Sequence, residues 1–366
     1  MVNKIKYTAH HILILSIILP VFGYFMPKAL IDFGYSQNEI GLILSFIGMG
    51  TILPSLYFSI KKLTKKTIYI SLFLVTLSLI CFYIFSVSWL EAAILLFIWK
   101  FCLTVSQGVF EQMSYDEESA FYNTMKGIGT FGFIPVLFFL TDNYSKDLVV
   151  YILMFGSVLL FIIDTNILYK KPEFEVSKSK IKFKMISKNI FFIFEIISQV
   201  GAISIIFGFG INYFIDNNFT MQEIFWFYLA MVIAEGYMFF FIPKSLKKKS
   251  PDFIVNISVL LTSLRMLILY LFIDSFILIL LAQLLHSFSL STWHLAKMQK
   301  IQQKFQEDGT QLGQQIYMSS WGIGLSLGGL IGGTFYSKEL FLGVSIYLFI
   351  VFIIKTILEK THPNLI

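Results

Sequence analysis

Windows of about 20 apolar residues recur along the whole chain, and each could cross a hydrocarbon core of roughly 30 Å as a helix. The windows are continuously apolar and do not alternate, which favours helices over an outer-membrane barrel. Composition agrees, since 57% of the 366 residues are hydrophobic and only 14% are charged. The predicted fold is an all-α polytopic membrane protein with twelve transmembrane helices. Their spans are 8–28, 38–60, 67–87, 90–110, 126–142, 148–169, 189–213, 222–243, 253–273, 275–296, 312–334 and 338–358.

The distribution of lysines predicts the orientation of these helices. Of the 27 lysines, 23 fall on one side if the helices alternate, whereas the opposite loops hold Lys28, Lys146 and Lys338. Basic residues accumulate in cytoplasmic loops, so both termini are expected in the cytoplasm, with the chain in a bacterial inner membrane. The net charge of +6 follows from this bias and gives no reason to expect a nucleic-acid partner. No small-residue cleavage site follows the first apolar run, which is therefore predicted to be a helix and not a removed signal peptide.

A weak internal repeat divides the predicted helices into two sets of six. When the sequence is shifted by 184 residues, the run QNEI at 37–40 falls on MQEI at 221–224, and the helix that follows ends in a lysine cluster in both copies. Such repeats typify secondary transporters, whose substrate site lies near the bilayer midplane between the halves. The predicted organisation is a six-helix half at 1–169, a cytoplasmic linker at 170–188 and a second six-helix half at 189–366.

Other function classes lack the residues they need. No phosphate-cradling glycine-lysine loop occurs, and Cys81 and Cys102 lie inside predicted spans without metal-ligand or redox spacing. The acidic group at 111–118 has no histidine or cysteine spaced to work with it. We therefore expect no enzyme activity, no cofactor and no bound metal. The expected partners are a small-molecule substrate, protons and the lipid bilayer, with the chain acting as a monomer.

Arg265 is the only arginine, and it lies in the middle of the apolar run 253–273. A guanidinium cannot lose its proton inside the membrane, so it needs a partner and is a functional candidate. Glu235, near the middle of the eighth predicted helix, is tolerable there only when protonated or paired with a cation such as Arg265. Switching between those two states is proton coupling. The alternative is a static pair that only fixes helix packing.

Lys100 is a further deep charge, at the centre of the span 90–110. A lysine so far from either interface cannot easily reach water. It is expected either to pair with Glu195 in the seventh helix or to bind an anionic substrate, and the sequence leaves both open. Lys100 and Glu195 are therefore the candidate substrate-binding residues.

The histidines divide by depth. His286, at the centre of the tenth helix, is a candidate for proton coupling, although a hydrogen bond to a neighbouring helix would explain it equally well. His11, His294 and Asp164 lie towards the cytoplasmic ends of their helices and are predicted to be interfacial.

Three short runs resemble a known family. The chain reads AEGYMFFF at 234–241, SLR at 263–265 and QLLHSF at 283–288. With the twelve-helix pattern, these runs resemble the major facilitator superfamily, in the branch of lactose permease and the phenylpropionate and nucleoside proton symporters. The resemblance implies that Arg265 and His286 belong to a proton-coupling network.

The sequence departs from that family at three places. Ser289 stands where lactose permease has a carboxylate after the helix-10 histidine, which makes Glu235 the best candidate for the proton carrier. The loop after the second helix lacks the usual glycine and aspartate. Lactose permease also has a charged sugar-binding pair in its fourth and fifth helices, for which only Lys100 is a charged counterpart here, and this argues against a disaccharide.

The sequence thus predicts a proton-coupled symporter that imports a small organic solute. An aromatic carboxylate such as phenylpropionate is favoured, and a nucleoside or sugar symporter or a proton-driven efflux antiporter are the alternatives.

Gly324, Gly328 and Gly332 follow the small-xxx-small spacing and predict a close helix contact in the eleventh helix.

Overall fold

The computed structural model describes residues 2–60, 64–115, 119–170, 186–187, 189–241, 248–305 and 310–361. This part of the chain is almost entirely helical and contains no strand. Most of the predicted linker at 170–188 and most of the acidic group at 111–118 lie outside what is described, in backbone or side chain. The helices are α1 Val2–Pro20, α2 Met26–Asp32, α3 Gln37–Ile60, α4 Lys65–Phe85, α5 Trp89–Tyr115, α6 Ser119–Asp142, α7 Lys146–Lys170, α8 Ile190–Asp216, α9 Met221–Phe240, α10 Pro251–Leu271, α11 Phe276–Leu284, α12 Trp293–Lys304, α13 Thr310–Thr334 and α14 Lys338–Thr361.

Ten membrane-spanning candidates are found among the described residues, each long and apolar enough to cross a bilayer. They coincide with ten of the twelve predicted spans, so the protein is a multi-pass helical membrane protein. The other two predicted spans, 126–142 and 312–334, fall within α6 and α13, which have 24 and 25 residues and are not among the ten. The count of twelve therefore stays a prediction.

Two helices are interrupted by a π-helical turn. The first turn, Val21–Phe25, joins α1 to α2 and follows Pro20, which has no backbone N–H to donate. The second, Ser287–Thr292, precedes α12, and its hydroxyls bond locally: Ser287 donates to the carbonyl of Leu284 at 2.9 Å and Thr292 to that of Phe288 at 2.8 Å. Such turns redirect the side chains that follow them.

Glycines bring α3 and α13 into backbone contact. A Cβ atom on Gly333 would lie 2.5 Å from the Cα of Gly41, and one on Gly48 would lie 2.8 Å from the carbonyl oxygen of Gly322. The hydroxyl of Ser326 donates across the same seam to the carbonyl of Ser45 at 2.9 Å. No larger residue fits at these positions without moving the helices apart.

A second contact joins the two predicted halves through α6 and α9. The rings of Phe131 and Phe240 stack with centroids 5.7 Å apart, and each ring covers a glycine of the other helix, Gly236 and Gly127 respectively.

The predicted close contact of the eleventh helix is confirmed: Gly324, Gly328 and Gly332 lie against α8, where added Cβ atoms would meet atoms at 2.8, 1.8 and 2.4 Å.

The seam between α3 and α13 lies at one end of the bundle. Gly41 and Gly333 lie near the start of α3 and the end of α13, at the end of the bundle remote from the start of α1. We call the end that holds the start of α1 and the end of α14 the termini end. The seam between α3 and α13 thus closes the bundle opposite the termini end.

Gly333→Leu is expected to force α3 and α13 apart at that seam, because the side chain has no space there. Spin labels at Asn38→Cys and Ser337→Cys, in a Cys81→Ser and Cys102→Ser background, should report a longer distance in the variant. Gly343→Leu is the control, since a Cβ there meets nothing within 4 Å. An unchanged label distance in Gly333→Leu would show that the seam does not depend on the glycine.

Candidate functional site

A cavity of about 340 Å³ lies between residues of the two predicted halves. Its wall is contributed by helices from both: α1, α3, α5 and α6 on one side and α8, α9, α12 and α13 on the other. The π-helical turn at Val21–Phe25 places Phe22, Gly23 and Tyr24 on the wall. The lining extends towards the termini end, where it includes Lys126 and Tyr317.

Three groups of fixed or titratable charge dominate the lining. Lys100 and Lys126 line the cavity on α5 and α6, and Glu235 lines it on α9. Glu235 is the one carboxylate among the described lining residues. His294 adds an imidazole from α12.

Lys100 reaches the cavity because α3 has a glycine opposite it. A Cβ on Gly50 would lie 3.1 Å from the Cβ of Lys100 and 3.0 Å from the carbonyl of Phe97, so a larger residue would have to push the two backbones slightly apart. The next residue, Thr51, also lines the cavity. Lys100 is 9% exposed, which places the ammonium group on the wall and not in the lipid.

Arg265 is fully buried, and its guanidinium is held by three side chains. One nitrogen bonds to Nδ1 of His286 at 2.8 Å, and the other donates to Oε1 of Gln283 and contacts the sulfur of Met231 at 3.5 Å. A guanidinium only donates, so Nδ1 of His286 must be the acceptor. The neutral imidazole then carries its proton on Nε2.

Nε2 of His286 faces Glu235, with 3.2 Å between the nitrogen and Oε2. The tautomer that Arg265 selects therefore donates to the carboxylate. The expected direct pairing of Arg265 with Glu235 is wrong: the neutral imidazole of His286 lies between them and is hydrogen-bonded to both. The three residues form one line from the buried cation to the cavity, where the Glu235 side chain is 17% exposed.

Aromatic rings separate this line from the rest of the bundle. Phe207 packs edge-on against His286 with centroids 5.6 Å apart, and Tyr24 packs against both Phe207 and Tyr228 at 5.2 and 4.6 Å. Tyr228 is 2% exposed and its hydroxyl has no hydrogen-bond partner among the described residues. Tyr24 comes from the π-helical turn after α1 and the other two rings from α8 and α9, so the rings also join the two predicted halves.

Glu195 lies outside the cavity lining, in a buried ion cluster. Its two oxygens lie 2.7 Å from the ammonium of Lys297 and 3.2 Å from that of Lys355, and all three side chains are at most 8% exposed. The expected pairing of Lys100 with Glu195 is therefore wrong. The sequence missed Lys297 because the tenth span was predicted to end at residue 296, whereas α12 continues to Lys304. Lys355 could have been noticed, since it lies inside the predicted span 338–358.

His11 and Asp164 form another buried pair that the sequence placed at an interface. Nδ1 of His11 lies 2.8 Å from Oδ2 of Asp164, and neither side chain is exposed. His294 was also predicted to be interfacial, but it lines the cavity and bonds through Nδ1 to the hydroxyl of Tyr317 at 2.7 Å. These contacts were not predicted, because an apolar run alone does not show which face of a helix packs inside the protein; the interfacial depth of these residues stays a prediction.

A helical membrane protein with one cavity between two sets of helices and buried charges beside it has the architecture of a membrane transporter. Residues 40–349 match the family described as "MFS_1 like family". The chain therefore belongs to this family of the major facilitator superfamily, as its motifs indicated, and it is a transporter and not an enzyme.

Solved structures agree with the family. The chain is similar to the crystal structure of the nucleoside transporter NupG, with a TM-score of 0.74 and 15% identity over 97% of this chain and 99% of that one. A single-substitution mutant of NupG gives a TM-score of 0.75 at 15% identity, covering 96% and 99%. Among curated proteins, none matches the sequence significantly. At this identity the likeness shows the fold alone.

Glu195→Gln is expected to destabilise the protein by about 3–5 kcal/mol, because it strands the buried ammonium of Lys297 and removes one partner of Lys355. Adding Lys297→Met should recover most of that loss, since Lys355 retains Glu359 at 3.6 Å. Thermal unfolding of the detergent-purified protein measures both effects. The control is Glu339→Gln, at an exposed position. A single variant as stable as the wild type would contradict the role of the cluster.

Proposed function

We propose that this transporter is a proton-coupled symporter in which Glu235 carries the proton. The observation that carries the proposal is the position of Glu235: it is the one carboxylate among the described lining residues, and it is linked through His286 to Arg265. A buried titratable group that both faces a solute cavity and senses a fixed charge has the chemistry that coupling needs.

The proton exchange follows from the hydrogen bonds. When Glu235 is ionised, it accepts from Nε2–H of His286, and the positive charge of Arg265 lies behind the imidazole. When Glu235 takes a proton from the cavity, it no longer needs that donor. Arg265 keeps its charge and its bonds to His286 and Gln283 in both states, so the positive charge behind His286 does not change when Glu235 binds or releases a proton.

The proposed substrate class follows from the residues that α5 and α6 contribute to the cavity lining. Lys100 and Lys126 bring two ammonium groups to a cavity whose other lining is largely apolar and aromatic. A small aromatic carboxylate such as phenylpropionate matches both features, since its charge is opposite to that of the lysines and its ring suits the apolar wall. A nucleoside is the second candidate, because NupG, which has the same fold, is a nucleoside transporter.

The proposal includes the orientation of the protein in the membrane. With both termini in the cytoplasm of a bacterial inner membrane, the seam between α3 and α13 closes the outer side and the cavity extends towards the cytoplasm. The contact between α6 and α9 lies at that same end, so two six-helix halves would have to move about the cavity to release the solute there.

Glu235→Gln is expected to abolish proton-driven accumulation while leaving substrate exchange across the membrane largely intact, because exchange needs no net proton movement. Uptake and counterflow in reconstituted vesicles measure the two activities. The matched control is Glu339→Gln, at an exposed position outside the cavity. Full accumulation by Glu235→Gln would remove this residue from the coupling mechanism.

The same vesicles separate a symporter from an antiporter. Adding substrate outside vesicles that contain a pH indicator should acidify the interior if solute and proton enter together. An efflux antiporter would make the interior more alkaline instead. Either that result or no pH change would contradict symport.

Lys100→Gln is expected to weaken transport of carboxylates by about tenfold, since a hydrogen bond to a charged group contributes roughly 1.5–3 kcal/mol. Transport of the corresponding neutral amide should change little. Lys146→Gln, whose ammonium lies over the ring of Phe33 and outside the cavity lining, is the control. Equal losses for carboxylate and amide would contradict the anionic substrate and favour a neutral one such as a nucleoside.

A further inference from the structure

Three rings on α12 and α13 form one wall of the cavity: His294, Tyr317 and Trp321. Their centroids lie 5.7 Å apart for His294 and Tyr317, 5.7 Å for Tyr317 and Trp321, and 6.4 Å for His294 and Trp321. These separations are those of mutually packed aromatic groups. We call these three residues the aromatic wall.

The polar ends of the aromatic wall are bonded to each other. Nδ1 of His294 lies 2.7 Å from the hydroxyl of Tyr317, which joins α12 to α13 and fixes the rotation of both rings. Their orientation is therefore set before any solute arrives. Preorganised rings lose little conformational entropy when a ligand packs on them.

The wall is also held from behind. Trp293 is fully buried and packs against Tyr317 and Trp321, with centroids 6.1 and 6.0 Å away. The ammonium of Lys297 lies 5.9 Å from the ring of Trp293 and is paired with Glu195. Trp293 of α12 thus packs between the aromatic wall and the ammonium of Lys297 in the buried ion cluster.

We propose that the aromatic wall is the subsite for a planar aromatic group of the transported solute, with Tyr317 and Trp321 as the residues that determine specificity. The proposal deepens the proposed function, because it takes the cavity to be the solute site. It names the chemistry that both substrate candidates share, a phenyl ring or a nucleobase.

The positions of the lysines and of the aromatic wall predict how the bound solute is oriented in the cavity. Lys100 and Lys126 belong to α5 and α6, whereas the aromatic wall belongs to α12 and α13. A carboxylate bound by the lysines would place its ring on the side of the other half. One molecule would then bridge both halves, so that its binding is sensitive to their relative movement.

The test compares aromatic compounds with their saturated or ring-free counterparts. The probes are 3-phenylpropionate against 3-cyclohexylpropionate, and uridine against ribose, each titrated calorimetrically into the purified protein. The wild type should bind the aromatic member of at least one pair more tightly. In Trp321→Leu that member should bind roughly fivefold more weakly, while its counterpart changes less than about twofold.

Conservative variants and matched controls guard against simple misfolding. Tyr317→Phe keeps the ring and removes the bond to His294, so we expect a smaller loss that is again confined to the aromatic probe. Tyr347→Phe removes a comparable bond, to Ser198 at 2.7 Å, outside the cavity, and should change nothing. Trp226→Leu, at a position 46% exposed and away from the lining, is the control for Trp321→Leu.

The outcomes separate this inference from the proposed function. Equal losses for both members of a pair, or no preference for an aromatic member in the wild type, would overturn the aromatic wall as a subsite. The binding measurement needs no proton gradient, so a failure of proton coupling in vesicles leaves it intact. The pair that responds identifies the source of the ring, a carboxylate or a nucleoside.

Discussion

The burial of one guanidinium determines the arrangement around it. Arg265 cannot shed its charge, so each of its donors needs an acceptor in an environment without water. The structure supplies neutral acceptors, His286 and Gln283, and keeps the carboxylate of Glu235 one hydrogen bond further away. A direct ion pair would hold Glu235 in its charged form. The intervening imidazole leaves the carboxylate at the cavity, as the proposed proton coupling requires.

In each predicted half, a buried ion pair joins the first helix to the last. His11 of α1 pairs with Asp164 near the end of α7, and Glu195 of α8 pairs with Lys355 near the end of α14. The shift of 184 residues that aligns the repeats places His11 on Glu195. The sign of the charge is reversed between the copies, whereas the joining of first and last helix is kept. This is the pattern expected if a duplicated six-helix unit retained a packing device and changed its chemistry.

The sequence predicted the spans and the deep charges well, because both follow from the cost of placing polar groups in lipid. It identified Arg265 and Glu235 as deep charges, but it did not predict that the imidazole of His286 lies between them. That position depends on how the helices are rotated. The tenth helix was predicted to end too early, because the hydropathy of the sequence decreases before α12 ends. Lys297 was therefore assigned to a loop. Tyr317 and Trp321 carried no signal, because tyrosines and tryptophans at membrane interfaces are common.

The proposed coupling by Glu235 would have a simple electrostatic origin if the solute is an anion. An ionised Glu235 and a bound carboxylate in one cavity of low dielectric constant repel each other, and protonation of Glu235 removes that repulsion. Solute and proton would then each increase the affinity of the other, as reciprocal linkage requires. A neutral solute lacks this term, so coupling would depend on a hydrogen bond that it makes with one protonation state of Glu235. The charge of the solute therefore decides which mechanism the same three residues can perform.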